Sequence, residues 1–204
     1  MSRFRALPRT FFARPAEIVA QDLLGRYLVR DLDGQRLVLR LVETEAYLGA
    51  SDRASHAWNG RRTTRNESLY LPPGHAYVYF IYGMHFCLNV VAGEPGVGGA
   101  VLLRAAEVVA GGKELAARRG TSWPARPGQI AGGPGKLCQA LAVDRALDGH
   151  RLSAAPLLLA QGEPVATGDV AVGPRVGIDY AGEAVGWLLR FAVRGHSEVS
   201  RPRL

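Results

Sequence analysis

The sequence predicts an α+β fold: one domain over residues 1–204, built on a largely antiparallel, curved β-sheet with helices around it and a protruding β-hairpin. Three observations point there. The 204-residue length suits one domain and can bury a real core. Strand-like alternation recurs along the chain, and the runs are joined mainly by turns instead of alternating with helices. Helical spacing is confined to a few short segments, with no internal repeat and no heptad.

The elements follow in order. Arg14-Pro15 starts a helical pattern, AEIVAQDLLG, with Pro15 in the first turn and Gly25 as the stop. Ile18, Val19, Leu23 and Leu24 are its expected apolar face. Two strand runs then flank Asp31-Leu-Asp-Gly34, a hairpin signal. In the second run, QRLVLRLVETEAYLG, Leu37, Leu39 and Leu41 share one parity, and Arg36, Val38 and Arg40 share the other. If the strand stays regular, Glu43, Glu45 and Tyr47 continue the leucine face. A core face that ends in two carboxylates and a tyrosine suggests a strand opening into a pocket.

Residues 48–74 form a long polar connection, with a short helix possible around SDRASHAW capped by Ser51 or Asp52. The aromatic segment AYVYFIYGMHFCLNV reads as two strands around Tyr82–His85. Tyr77, Tyr79 and Ile81 share one face; Val78, Phe80 and Tyr82 share the other. The turn GEPGVGG leads to a strand, AVLLRAAEV, and then to a helix near GGKELAARR. A Gly/Pro-rich loop runs from Gly120 to Gly135. Pro134 opens a helix, GKLCQALAV, and strands near 156–160, 170–176 and 188–194 close the chain.

Composition narrows the function. Apolar residues make up 48% of the chain, which is ordinary for a soluble globular protein. The formal net charge is +7, which suits nucleic acid, an anionic membrane or an anionic ligand as partner. Cys87 and Cys138 lie in apolar surroundings, so buried reduced thiols are expected instead of a disulfide framework. No CxxC or HExxH spacing supports a metal. The N-terminal run MSRFRALPRTFF has neither a secretory signal nor a membrane-span pattern, so a cytoplasmic location is expected, nucleoid-associated in a bacterium.

Glu45 and Glu43 are the carboxylates that parity places in the pocket, and parity does not separate them. A partly buried carboxylate needs a partner or a task, and one beside Tyr47 could take a proton from water. His56 has no second histidine at ligand spacing. Arg61, Arg62 and Arg65 form a basic cluster in the same connection, either a solvated loop or a set of phosphate contacts. A tyrosine at the hairpin tip, Tyr82, is hard to bury; a wedge between base pairs would explain it.

The combination VETEAYLG, His56, YVYFIYGMHFCLNV, VLLRAAE, GPGKLCQAL and RVGI, in this order and over most of the chain, resembles the alkyladenine (methylpurine, 3-methyladenine) DNA glycosylase family. The resemblance implies a monofunctional glycosylase of base-excision repair. Such an enzyme flips alkylated or deaminated purines from duplex DNA and hydrolyses the N-glycosidic bond, leaving an abasic site. Glu45 then matches the general base, which settles the tie with Glu43. Arg104 and the backbone carbonyl of Val176 match groups that hold the attacking water. Tyr47 and His56 match residues that sandwich the flipped base, with Tyr79 on the other side. Asn89 matches a side chain that clashes with the exocyclic amino group of guanine. Tyr82, with Met84 beside it, matches the intercalating tip, and Lys136 a DNA-backbone contact. His85 departs from the pattern, since relatives commonly carry an aromatic there.

The resemblance implies no cofactor and no metal. The expected partner is double-stranded DNA containing damaged purines; no membrane and no obligate protein partner are expected, and the chain should act as a monomer. Strand cleavage through a Schiff base would need an amine near the site. Lys113, Lys136 and the N-terminal amine are the amines on offer, and none lies in the motifs around Glu45. Two other functions fit the residues without the resemblance: a non-catalytic nucleic-acid-binding module, and a hydrolase of nucleotides.

Overall fold

Every strand pairing among the described residues is antiparallel, as turn-joined strands require. The computed structural model describes residues 4–204, so the N-terminal amine of Met1 lies outside the described residues. Helices α1 (Arg9–Phe12) and α2 (Ala16–Asp22) precede strands β1 (Tyr27–Leu32) and β2 (Gln35–Tyr47). The hairpin strands β3 (Ala76–Ile81) and β4 (His85–Val91) lead to β5 (Ala100–Ala110), α3 (Gly112–Arg118) and α4 (Pro134–Ala140). Short strands β6 (Ser153–Ala154), β7 (Leu157–Ala160), β8 (Val170–Gly173) and β9 (Arg190–Val193) complete the fold. The sheet runs β3-β4-β5-β2-β1-β7-β6, with β9 joining β2 to β8, and it curls into a half-barrel.

Local sequence explains much of this. Asp33 and Gly34 both take left-handed φ, 51° and 74°, as a two-residue hairpin turn requires. Pro15 caps α2, so the helix begins one residue later than the sequence suggested. Its buried stripe is Ala16, Val19 and Ala20, continued by the buried Leu23 and Leu24 just past its end. Ile18, expected on that stripe, is 42% exposed because it falls outside the i, i+3, i+4 series. No helix spans SDRASHAW: Asp52 follows a single 3-10 turn, Gly49–Ser51, and its carboxylate instead accepts the N–H groups of Leu48 and Ala54.

The decisive departure from a regular pattern lies in β2. Opposite β5, Leu41 pairs with Ala106, Glu43 with Ala105 and Thr44 with Leu103, so Val42 and Arg104 have no counterparts. Paired bulges of this kind put two successive residues on one face and reverse the parity beyond them. Leu37, Leu39 and Leu41 face the main core, and so do Ala46 and the side chain of Thr44, which bonds the Ala20 carbonyl. Glu43 and Glu45 therefore turn to the face opposite the leucines, not along it. The assumption of a regular strand fails at Val42, but the resulting face still carries the carboxylates. At the same point the free edge of β2 passes from β1 to β9.

The hairpin β3–β4 keeps its alternation. Ala76, Val78, Leu88 and Val90 join α4 residues Leu137, Cys138 and Ala140 in the main core. Both cysteines are buried and free. The opposite face carries Tyr77, Tyr79, Cys87 and Asn89, and it lines a cavity.

Candidate active site

A cavity of about 610 Å³ lies between the inner face of β3–β4–β5, the connection around His56 and the segment Val176–Tyr180. Tyr47, Tyr77 and Tyr79 supply aromatic wall, and Asn89 and Arg104 supply polar groups from β4 and β5. Tyr82 stands at its mouth, so one side opens toward the hairpin tip.

Glu45 is fully buried one layer behind the wall formed by Tyr47, Arg104 and Val176. Its Oε1 accepts the Val176 N–H at 2.8 Å and lies 3.2 Å from Arg104 Nη1. Its Oε2 accepts the Tyr47 hydroxyl at 3.0 Å. Burial pushes its carboxyl pKa above the ordinary value, outweighing Arg104, the Val176 amide and Tyr47, which pull it down. Burial likewise lifts the Tyr47 phenol well above its usual value, so it remains a donor.

Glu43 behaves oppositely. Its Oε1 accepts from Arg104 Nε at 2.9 Å, Arg190 Nε at 2.7 Å and Ser200 Oγ at 2.9 Å. Its Oε2 accepts the Ser200 N–H at 2.7 Å. Burial pushes its pKa up, but the two guanidinium groups and Ser200 together bring it below the ordinary value. Glu43 is thus a satisfied anion, whereas Glu45 retains proton affinity; neither carboxylate lines the cavity directly.

His56 and Tyr79 are ring neighbours, with centroids 4.6 Å apart and planes at 69°. A third ring stacked between two others needs about 7 Å, two van der Waals layers, so none fits between this pair. His56 Nδ1 lies 2.7 Å from the Tyr77 hydroxyl. Its pKa falls below the ordinary histidine value, first through burial and then through Arg65 and Arg61, so the ring is neutral near pH 7. Asn89 is buried, and its amide is pinned by donating to the Tyr77 carbonyl at 3.1 Å.

At the hairpin tip Tyr82 and Met84 are 76% and 68% exposed. Tyr82 adopts φ 54°, a left-handed conformation rare for a bulky residue and typical of functional sites. Among the basic residues, Arg62 pairs with Glu67 and stacks on Tyr70. Arg65 reaches the Phe80 carbonyl, and Arg61 and Arg65 line a second cavity behind His56. Lys136 sits at the main cavity's rim and donates to the Gly128 carbonyl at 2.7 Å.

Several residues of the site were assigned no role from the sequence. Arg175 grips the fully buried Asp52 with both terminal nitrogens, donates to the Ala46 carbonyl, and lies 4.7 Å over the Tyr47 ring. It thereby ties Tyr47, the loop toward His56 and the peptide of Val176 into one unit. Tyr180, 64% exposed, flanks Tyr82 at the cavity mouth. Arg190 and Ser200 complete the Glu43 cluster. Among the described residues no group of three or more His, Cys, Asp or Glu has metal-binding geometry, and no helix is long and apolar enough to cross a membrane.

Comparison with known proteins adds a family. The model for methylpurine-DNA glycosylase matches residues 10–197. A protein of Carboxydothermus hydrogenoformans, named as a candidate 3-methyladenine DNA glycosylase, is 46% identical over 196 residues, covering 96% of this chain and 98% of the relative. Proteins of the same name from Streptomyces avermitilis and Myxococcus xanthus are 48% and 46% identical, over 95% and 96% of this chain and 90% and 93% of the relatives.

Proposed function

The chain belongs to the methylpurine-DNA glycosylase family, and from that premise we propose that it extrudes alkylated or deaminated purines from duplex DNA and releases them with a water activated by Glu45. As a family member it is a DNA glycosylase of base-excision repair, a hydrolase of the N-glycosidic bond with DNA as substrate. The observation that carries the finer reading is Glu45 itself: a buried carboxylate with raised proton affinity, behind an aromatic cavity whose mouth carries an exposed tyrosine.

The base is out of reach inside the stack, so flipping comes first, at a cost of a few kcal/mol that is smallest for damaged pairs. Tyr82 fills the gap left in the duplex, with Met84 beside it. The purine stacks with Tyr47 on one side and the His56–Tyr79 pair on the other, so His56 works beside Tyr79, not opposite it. Cationic purines such as 3-methyladenine and 7-methylguanine gain cation–π attraction from these rings. A neutral His56 avoids repelling them. Hypoxanthine and ethenoadenine are neutral, lack the cation–π attraction, and need hydrogen bonding or protonation of the leaving purine to depart. Asn89 excludes guanine by the bulk of its pinned amide.

In the chemical step, the water oxygen bonds C1′ as the C1′–N bond breaks. The bonding electron pair leaves with the purine, and the water proton passes to Glu45. The carboxylate also steadies the positive charge that develops on the sugar. The Val176 N–H, Arg104 and Tyr47 hold Glu45 in one orientation. The Val176 carbonyl and Arg104 help to lodge the water. Arg61, Arg62, Arg65 and Lys136 provide backbone contacts, with Arg62 exchanging its exposed pairing to Glu67 for a phosphate at little cost.

A hydrolase of free nucleotides would need neither an open mouth nor an exposed tip, and Tyr82 at 76% exposure argues for DNA. The test is incubation with duplex DNA methylated by dimethyl sulfate, with chromatography of the supernatant. Free 3-methyladenine or 7-methylguanine is expected, with abasic sites that break only on alkali treatment. No free purine, or strand cuts without alkali, would overturn this reading.

A further inference from the structure

Arg104 is shared between two carboxylates on one strand, and the sharing is uneven. Its Nε donates to Glu43 at 2.9 Å and its Nη2 to Ser200 Oγ at 3.0 Å, while Nη1 stands 3.2 Å from Glu45. Glu43 and Ser200 are locked in turn. Ser200 bonds Glu43 through both its N–H and its hydroxyl. Arg190 bonds Glu43 at 2.7 Å and also reaches the carbonyls of Ser200 and Pro202. Ser200 is 5% exposed and lies beyond the span that the family model matches.

A guanidinium facing a carboxylate favours a two-pronged fork, which engages both oxygens and holds the anion strongly. A carboxylate so held is a poor proton acceptor. Glu45 escapes the fork here because the other nitrogens of Arg104 are committed elsewhere. We propose that Glu43 and Ser200 are positioning residues that hold Arg104 at its far edge, so that Glu45 receives one guanidinium contact instead of a paired one. The proposal rests on the reading of Glu45 as the base. It makes the C-terminal segment around Ser200 part of the active site, though Ser200 does not line the cavity.

The charged and titratable groups around Glu45 are few. Glu43 and Tyr47 share its strand, Arg104 faces it from β5, and Tyr79 and Cys87 from β3 and β4. Arg190 pairs with it in register from β9 but turns its guanidinium to Glu43, and Arg175 lies behind Tyr47. Arg104 is the guanidinium already in contact with Glu45, so it is the one poised to close onto it when Glu43 is neutralised.

The test is single-turnover base release from dimethyl-sulfate-treated duplex across pH, with melting temperature beside it. These cationic purines need no proton to leave, so the low-pH limb reports the base. In Glu43→Gln, Arg104 forks onto Glu45: the plateau rate should fall by about 10²-fold, the scale of a misplaced catalytic group, and the limb should move to lower pH. Ser200→Ala, which keeps both charges and is the milder change for folding, should move rate and limb the same way by less. Ser200→Thr, which keeps the hydroxyl, should restore both. A limb unmoved in Ser200→Ala and Glu43→Gln, with rate losses that track melting temperature, would reduce both residues to structural supports. A limb moving to higher pH would overturn the sharing outright. Glu45→Gln, run in parallel, separates the two ideas. Full release by that variant removes the base reading and this proposal with it, whereas an inactive Glu45→Gln beside unmoved limbs removes the sharing alone.

Discussion

Replacing Tyr82 by alanine separates DNA binding from folding unusually cleanly. The side chain is 76% exposed and its backbone sits at φ 54°, so it contributes little packing and holds some strain. Loss of an exposed side chain typically changes stability by less than about 0.5 kcal/mol. Tyr82→Gly should relieve the left-handed backbone and stabilise the fold by about 1 kcal/mol. In a domain of this size that raises the melting temperature by about 2–4 °C. The DNA side of the balance runs the other way. A stacking aromatic is worth about 1–3 kcal/mol, so both variants should bind duplex damage about 5- to 150-fold more weakly. The assays are the dissociation constant for duplex carrying an abasic site and single-turnover excision of one lesion in duplex and in single strand. Duplex excision should suffer, more for well-paired lesions than for weakly paired ones, and single-strand excision should be nearly spared. Equal losses on both substrates, or a melting temperature that drops by more than a few degrees, would refute the wedge.

Three further outcomes follow from the same geometry. Asn89→Ser or Asn89→Ala should open the cavity to bases carrying the guanine amino group; guanine release that stays unchanged in both folded variants would clear Asn89 of selectivity. Glu43 has a folded pKa below its ordinary value, so its contribution to stability is fully present above the unfolded value and is lost as pH falls through the folded one. Acid unfolding followed by circular dichroism should therefore lose part of its slope in that window in Glu43→Gln, and an identical slope would contradict the assignment. Arg175→Met strands the buried Asp52 without its counter-charge and should cost about 3–5 kcal/mol in chemical denaturation.

Much of the fold was legible because local chemistry fixes it. Asp33-Gly34 specifies its turn, Pro134 opens α4, and the alternation through β3 and β4 divides Val78 and Leu88 from Tyr77 and Asn89. The paired bulge was not legible, because a run of apolar and charged residues carries no mark of where one is skipped. It reversed the face of Glu43 and Glu45 while leaving them side by side. Long-range partners were equally invisible. Arg175 and Asp52 are 123 residues apart, and Ser200 and Glu43 are 157 apart, with nothing local to link either pair. Glu43 and Glu45 looked equivalent from spacing, and their environments separate them: four donors satisfy one, and burial dominates the other.

The central claim is that Glu45 takes the proton from the attacking water. The direct test is single-turnover release of 3-methyladenine and 7-methylguanine from methylated duplex by Glu45→Gln, with abasic-duplex affinity measured on the same preparation. The substitution keeps the shape of the side chain and removes its ability to accept that proton. Binding should stay near the parent value, while release falls by about 10²–10⁴-fold, the usual scale for a general base. Release at the parent rate by a folded, DNA-binding Glu45→Gln would contradict the mechanism and move the base elsewhere.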